Sequence, residues 1–159
     1  MHENPLPDIA AMLAQLITGV PQALQPRLLA LLERAAAERY AGWARELPEH
    51  AEGLLACRGR EIEIAEMAER IFPLDVEARA KLDAPLARAR EAYLAVLAEL
   101  PLRDQLRIQS TAERAGGGAW RAFAAALSDA RARADLERSA TLEDANAVHL
   151  DALIARLGT

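Results

Sequence analysis

The chain has 159 residues, of which 52% are hydrophobic, 27% are charged and 4% are aromatic. This length is enough for one domain with its own core, and the hydrophobic fraction excludes an intrinsically disordered protein. The net charge of −5 is opposite in sign to the basic surface that is typical of nucleic-acid-binding proteins. The sequence therefore predicts no nucleic-acid partner.

The sequence also predicts no membrane partner and a cytoplasmic location. No stretch approaches the roughly 18 apolar residues that a membrane-spanning helix needs. The first residues, Met1 to Pro5, contain neither the basic region nor the cleavage site of a secretory leader. Because Cys57 is the single cysteine, it cannot form an internal disulfide, and nothing indicates an oxidising compartment.

The composition favours an all-α fold. Alanine occurs 37 times and arginine 18 times, and both are strong helix formers, whereas β-branched and aromatic residues are scarce. Prolines, glycines and capping residues predict helices at residues 8–18, 26–47, 49–71, 75–100, 101–138 and 141–157.

The short connections between these helices predict one helical domain over residues 1–159. Its core, at about 26–138, is expected to be an antiparallel, up-and-down four-helix bundle, with a short helix added at each end. Pro85 predicts a kink or a restart within the third long helix. Thr141 predicts a capping box that begins the last helix.

Three consecutive glycines, Gly116 to Gly118, lie in the middle of the predicted helix 101–138. Each costs about 1 kcal/mol relative to alanine inside a helix, so the favoured interpretation is a kink or a break in the helix. A close approach of a second helix and an internal space beside Glu113 are the alternatives.

Three of the predicted helices each direct one glutamate toward the interior. With about 100° between successive residues, Glu33, Glu61 and Glu113 fall on the apolar faces of three different helices. A glutamate on a core face is costly unless it is paired, protonated or bound to a cation. A structural interpretation is a buried ion network with Arg58 and Arg90, or hydrated positions near the bundle ends. The functional interpretation is a site for a metal ion or a small ligand.

This arrangement resembles the ferritin-like superfamily of four-helix bundles. Its metal-binding members carry Glu, Glu-x-x-His, Glu and Glu-x-x-His on successive helices. In this resemblance, Glu33 corresponds to the first glutamate, and Glu61 begins the second-helix motif with Ile64 in place of the histidine. Glu113 begins the fourth-helix motif, with Gly116 in place of the histidine. The resemblance implies a ferritin-like bundle whose di-iron centre has degenerated.

The resemblance covers about residues 26–138, and Tyr93 is the nearest inward residue where the third-helix glutamate is expected. Carboxylates without histidine suit hard cations. No cofactor is therefore expected, or, if one is bound, it is a divalent ion of iron, manganese or magnesium. The candidate residues for a ligand cavity beside the glutamates are Tyr93, Gln109, Gly116 and Trp120.

The sequence contains no pair of residues suited to nucleophilic catalysis, because His50 and Cys57 are about 10.5 Å apart along a helix. The leading hypothesis is a non-catalytic helical protein that acts through self-association, as a homodimer, or through an unidentified protein partner. In this hypothesis the chain is a ferritin-like relative without its di-iron centre. The alternative is a protein that binds a metal ion or a small ligand through the inward glutamates, and the third is a carboxylate–metal oxidoreductase.

Overall fold

The computed structural model describes residues 5–158, which contain six α-helices and no β-strand. The helices are α1 (Ile9–Thr18), α2 (Gln25–Glu46), α3 (Ala51–Ile71), α4 (Val76–Ala98), α5 (Leu102–Ala125) and α6 (Ala130–Leu157). The prediction of an all-α fold is confirmed. Within the described range, no helix has both the length and the apolar character needed to cross a membrane. The prediction about a secretory leader rests mainly on residues 1–4, which lie outside the described residues.

The predicted helix 101–138 is wrong, because α5 ends at Ala125 and α6 begins at Ala130. Asp129 caps α6: its Oδ1 accepts a hydrogen bond from a backbone N–H of the first turn at 2.7 Å. The predicted capping box is also wrong. Thr141 lies well inside α6, and its hydroxyl donates to a carbonyl oxygen one turn earlier at 3.2 Å.

Neither the three glycines nor Pro85 interrupts a helix. Helix α5 continues through Gly116 to Gly118, and α4 continues through Pro85, so the predicted break and the predicted restart are wrong. At Gly117, α6 comes close: a Cβ atom there would lie 3.4 Å from the Ala140 carbonyl oxygen. Gly116 and Gly117 therefore lie where α5 and α6 approach closely, whereas Gly118 faces open space. Packing between the two helices offsets the low helix propensity of the glycines.

Helices α2, α3, α5 and α6 surround one shared core. Helix α5 packs along α6, α2 along α3, and α3 along α6. Helix α6 buries residues along most of its length, from Leu136 to Ile154, whereas α4 buries only Leu82, Ala89, Tyr93 and Leu97. The prediction that the last helix is only an addition to the core is therefore wrong. Helix α4 contributes fewer buried residues, among them Tyr93 and Leu97.

The directions of the core helices follow from their contacts. Trp120 contacts Glu33 and Tyr40 contacts Glu113, so α2 and α5 are antiparallel. Helices α2 and α3 are also antiparallel, because a short turn joins them and they pack along one another. Helices α3 and α5 consequently run in the same direction, with α4 in the connection between them. Alternation of successive helices along the chain gives the same relative direction for α3 and α5. The difference from the predicted bundle is that α6, and not α4, packs along α3 and α5.

Candidate metal centre

Four glutamates meet inside the shared core, one from each of its helices: Glu33 (α2), Glu61 (α3), Glu113 (α5) and Glu143 (α6). Their exposed fractions lie between 0% and 6%. One carboxylate oxygen from each of Glu33, Glu61 and Glu143 lies within 4.8 Å of the other two. Asn146 connects Glu113 to this group, since its Nδ2 donates to Glu61 and, at 3.4 Å, to Glu113. The three glutamates predicted from the sequence therefore converge, and a fourth joins them.

Trp120 orients two of these carboxylates. Its Nε1–H donates to Glu33 Oε1 at 3.1 Å and to Glu143 Oε1 at 3.2 Å, and its side chain is fully buried. The sequence predicts Trp120 as a wall of a ligand cavity, but its indole lies against the carboxylates instead. Such a donor restricts how the carboxylates can turn, as outer-shell partners do around metal ligands.

Glu113 is held by two further neutral donors. The Tyr40 hydroxyl donates to Glu113 Oε1 at 2.7 Å, and Gln109 Nε2 donates to the same oxygen at 2.6 Å. Gln109 is itself fixed, because its Oε1 accepts from the Tyr93 hydroxyl at 2.7 Å. Tyr93 and Gln109, both predicted to lie near the glutamates, thus belong to one hydrogen-bond network with them.

No cationic side chain forms an ion pair with any of the four glutamates within residues 5–158. The buried ion network expected with Arg58 and Arg90 is not formed. Arg58 is exposed, and Arg90 pairs with Glu38 at 3.0 Å. Arg58 lies on the outer face of α3, and the guanidinium of Arg90 is engaged by Glu38, so neither pairs with a glutamate of the cluster.

Two other arginines approach the cluster only through amide groups. Arg60 donates to Asn146 Oδ1 at 3.2 Å, and Arg39 donates to Gln109 Oε1 at 3.2 Å. The amide nitrogens in turn donate to glutamates of the cluster. The amides orient the carboxyl groups but bring no positive charge into direct contact with them.

Burial raises the pKa of three of these carboxyl groups. The pKa of Glu33 rises to about 7, although hydrogen bonds with Glu143 and Glu61 act in the opposite direction. Burial, followed by the charges of the neighbouring glutamates, raises the pKa of Glu61 and of Glu143 well above the ordinary value. A bound cation would favour the ionised forms instead, because an opposite charge at short range lowers a carboxyl pKa.

One oxygen of the cluster has no hydrogen-bond partner among the described residues. It is Oε2 of Glu61, a residue that is 0% exposed. Buried polar atoms in folded proteins nearly always have a partner. An orphaned carboxylate oxygen that faces two further buried carboxylates is therefore available to ligate an ion.

A cavity of about 260 Å³ adjoins the cluster, between α1, α2, α4 and α5. Three of the four glutamates form part of its wall, and Glu61 does not. Of the residues predicted to line such a cavity, Tyr93, Gln109 and Gly116 do so. The cavity reaches the surface, because Ala14 and Thr18 in its lining are exposed.

Sequence reasoning missed Glu143 and Asn146. The predicted helix 101–138 runs past the true start of α6, and the predicted last helix begins only at residue 141, so Glu143 falls in the first turn of a short end helix rather than on a core face. The sequence contains the helical pattern that identifies this face. Its buried positions recur at steps of three and four: Leu136, Ala140, Glu143, Ala147 and Leu150.

No protein-family model, curated protein or solved structure matches the chain. The four buried carboxyl groups are therefore the feature of this chain that indicates a function. The Cys57 thiol is not a second candidate site. Burial raises the pKa of the Cys57 thiol to about 12, so this cysteine stays a protonated, inert side chain.

Proposed function

We propose that the chain is a metal-binding helical protein that holds divalent cations among Glu33, Glu61, Glu113 and Glu143. The observation that carries this proposal is the convergence of buried carboxyl groups from all four core helices, with no paired cationic side chain among residues 5–158. An ionised carboxylate inside a protein is costly, and a divalent cation supplies the compensating charge. This is the metal-binding alternative of the sequence analysis.

Hard cations such as Mn²⁺ and Mg²⁺ suit the site best. The available ligand atoms are carboxylate oxygens, which these ions prefer, and neither histidine nor a thiolate is among them. Both ions commonly keep several water ligands, so three or four carboxylates are a sufficient protein contribution. The adjoining cavity gives such water molecules access to the carboxylates.

We also propose a ferritin-like relationship, supported by the order of the core residues. In chain order the core helices carry Glu33, Glu61-x-x-Ile64, Glu113 and Glu143-x-x-Asn146. The superfamily pattern is Glu, Glu-x-x-His, Glu and Glu-x-x-His, so only the two histidines differ. The long connection between α3 and α5 also fits, since ferritin-like bundles contain one such crossover. Glu113 takes the third-helix position in this alignment, rather than the fourth.

Elemental analysis of protein purified without chelator or affinity tag tests metal binding. After supplementation with manganese, magnesium or iron, we expect about one or two equivalents of metal per chain in the wild type. Glu61→Gln should lose this metal, because it replaces the carboxylate that contains the unpartnered oxygen with a neutral amide. Glu66→Gln is the matched control, since Glu66 is exposed on the same helix.

Calorimetric titration of Mn²⁺ into chelator-treated protein provides an independent measurement. Glu61→Gln and Glu143→Gln are expected to weaken binding at least tenfold, whereas Glu66→Gln leaves the affinity unchanged. Trace metal in every preparation, together with no binding heat for the wild type, would overturn the proposal. An equal loss in Glu66→Gln would assign the bound metal to the surface.

The homodimer expected from the sequence stays a prediction. Helix α4 exposes two large apolar side chains, Val76 at 88% and Leu94 at 51%. Multi-angle light scattering during size exclusion measures the molar mass directly. A mass of 17.3 kDa at all concentrations would correspond to a monomer and contradict the prediction.

A further inference from the structure

The cavity beside the carboxylates is elongated. On α5 its lining extends from Gln109 to Phe123, and on α2 it extends from Gln25 to Arg39. At 1.5 Å per residue, each of these stretches is about 21 Å long. A volume of 260 Å³ distributed along this length leaves room for one extended chain rather than a bulky ring system.

Most of the cavity wall is apolar. Leu13 and Ile17 of α1 face Leu29 and Leu32 of α2, and Phe123 of α5 lies toward the end near Gln25. Burying hydrocarbon against such a wall is favourable, and pockets of this kind take their affinity from the apolar body of a ligand.

Two arginines line the opposite end of the cavity. Arg39 and Arg90 are the two arginines of the lining, and both lie near Tyr93. The Arg39 guanidinium lies 4.2 Å from the centre of the Tyr93 ring, and its Nε donates to Gln109. A guanidinium has five N–H donors in a fork that matches a carboxylate, so Arg39 retains donors for an anion. Arg90 pairs with Glu38 at the surface, and Glu113 lies beyond Gln109 in the same wall. The free donors of Arg39 are therefore the feature of this end that favours an anion.

We propose that this cavity binds a linear aliphatic acid, with its carboxylate at Arg39 and Arg90 and its hydrocarbon chain extended past Ile17 toward Phe123. An amine would place its charge against the arginines, and an alcohol would accept hydrogen bonds from them without the attraction between opposite charges. The proposal does not rest on the metal. A cation among the glutamates would remove part of their repulsion of the acid, so we expect tighter acid binding in Mn²⁺-loaded protein than in chelated protein.

Calorimetric titration with octanoate, decanoate and dodecanoate tests the apolar part of the site. The affinity is expected to rise about fourfold for each added methylene, as transfer of hydrocarbon from water predicts. Decylamine and 1-decanol test the end lined by the arginines, and each should bind about tenfold more weakly than decanoate. Equal or tighter binding of decylamine would overturn the assignment of an acid. All titrations are run on chelated and on Mn²⁺-loaded protein, so a failure of metal binding is seen separately.

Two pairs of variants locate the bound acid. Ala119→Leu narrows the cavity and should weaken decanoate binding at least tenfold, whereas Ala125→Leu, exposed and outside the lining, should not. Arg90→Gln should weaken decanoate binding, and Arg88→Gln on the exposed surface should not. Equal effects within either pair would overturn the proposed position of the acid.

A replacement variant and a lipid ligand complete this test. Ala10→Leu narrows the cavity from α1 and replaces Ala119→Leu if circular dichroism shows that the latter is unfolded. Decanoyl lysophosphatidylglycerol resembles decanoate in having a negatively charged head group and a single hydrocarbon chain. Binding of this lipid more tightly than decanoate would overturn the assignment of a free acid, and weaker binding supports it.

Discussion

Gly116 of α5 lies directly against the carboxylate of Glu143 on α6. A Cβ atom at Gly116 would be 2.6 Å from Oε1 of Glu143 and 3.1 Å from its Cδ. Since a Cβ does not approach other atoms so closely, an alanine at this position would force the Glu143 carboxylate to move. Gly118 lies on the exposed side of the same helix, where a Cβ atom would meet nothing within 4 Å.

We expect Gly116→Ala to weaken Mn²⁺ binding about tenfold, because it displaces one carboxylate of the proposed site. Gly118→Ala should leave the affinity unchanged and raise the free energy of unfolding by up to about 1 kcal/mol, since alanine is the better helix former. Calorimetric titration and urea unfolding measure the two quantities. Equal Mn²⁺ affinities in the two variants would argue against Glu143 as a ligand.

The metal-free protein is expected to lose stability as the pH rises from about 4.5 to 7. Burial raises the pKa of Glu33 from 4.5 to about 7, so in this range the folded state retains a proton that the unfolded state has lost. The stabilising contribution of this proton is complete below pH 4.5 and is lost as the pH rises through 7. Its magnitude is about 3 kcal/mol.

Urea unfolding of the chelated wild type and of Glu33→Gln between pH 4.5 and pH 8 measures this effect. The difference in unfolding free energy between the two proteins isolates Glu33 from the other titrating groups. As the pH rises, the variant should become more stable relative to the wild type. At pH 8, Mn²⁺ should restore the stability of the wild type. A difference that does not change with pH would contradict an ionising Glu33 in the core.

Helical periodicity was sufficient to identify much of the core and three of the four glutamates. Glu33, Glu61 and Glu113 are buried as predicted. Each lies on a continuous apolar face, where the position of a side chain is fixed by the local helix geometry alone. Burial of a face can therefore be predicted from a single helix.

Which helices share a core could not be predicted in this way. Both α4 and α6 present apolar residues at helical spacing, and only tertiary packing decides that α6 joins the central group. The boundary between α5 and α6 was a second obstacle. Thr141 and Asp144 imitate a capping sequence, whereas Asp129 is the residue that caps the helix. Glu143 was missed as a consequence.

Substitutions at these two positions test the boundary. Asp129→Ala should lower the free energy of unfolding by about 1 kcal/mol, because it removes the side-chain cap of α6. Thr141→Ala should be neutral or slightly stabilising, since this threonine lies inside the helix and bonds back to a carbonyl oxygen. Urea unfolding measures both, and a larger loss for Thr141→Ala would contradict a helix that begins at Ala130.

Asn146 lies one helical turn after Glu143, on the same face of α6. It occupies the position at which the ferritin-like pattern has its fourth-helix histidine. Its amide donates to Glu61 and accepts from Arg60, so a side chain at this position reaches the carboxylate cluster. An imidazole there would add a nitrogen ligand to a site otherwise made of oxygen atoms.

We expect Asn146→His to increase the affinity for Co²⁺ relative to Mn²⁺ about tenfold, because imidazole favours the later transition metals. The visible absorption of bound Co²⁺ should change at the same time, since nitrogen replaces oxygen in its coordination shell. Val148→His is the control, because Val148 is 66% exposed on the same helix and its side chain points away from the core. The same Co²⁺ to Mn²⁺ ratio in both variants would mean that residue 146 is not a ligand position, and it would remove the support that the residue order gives to a ferritin-like relationship.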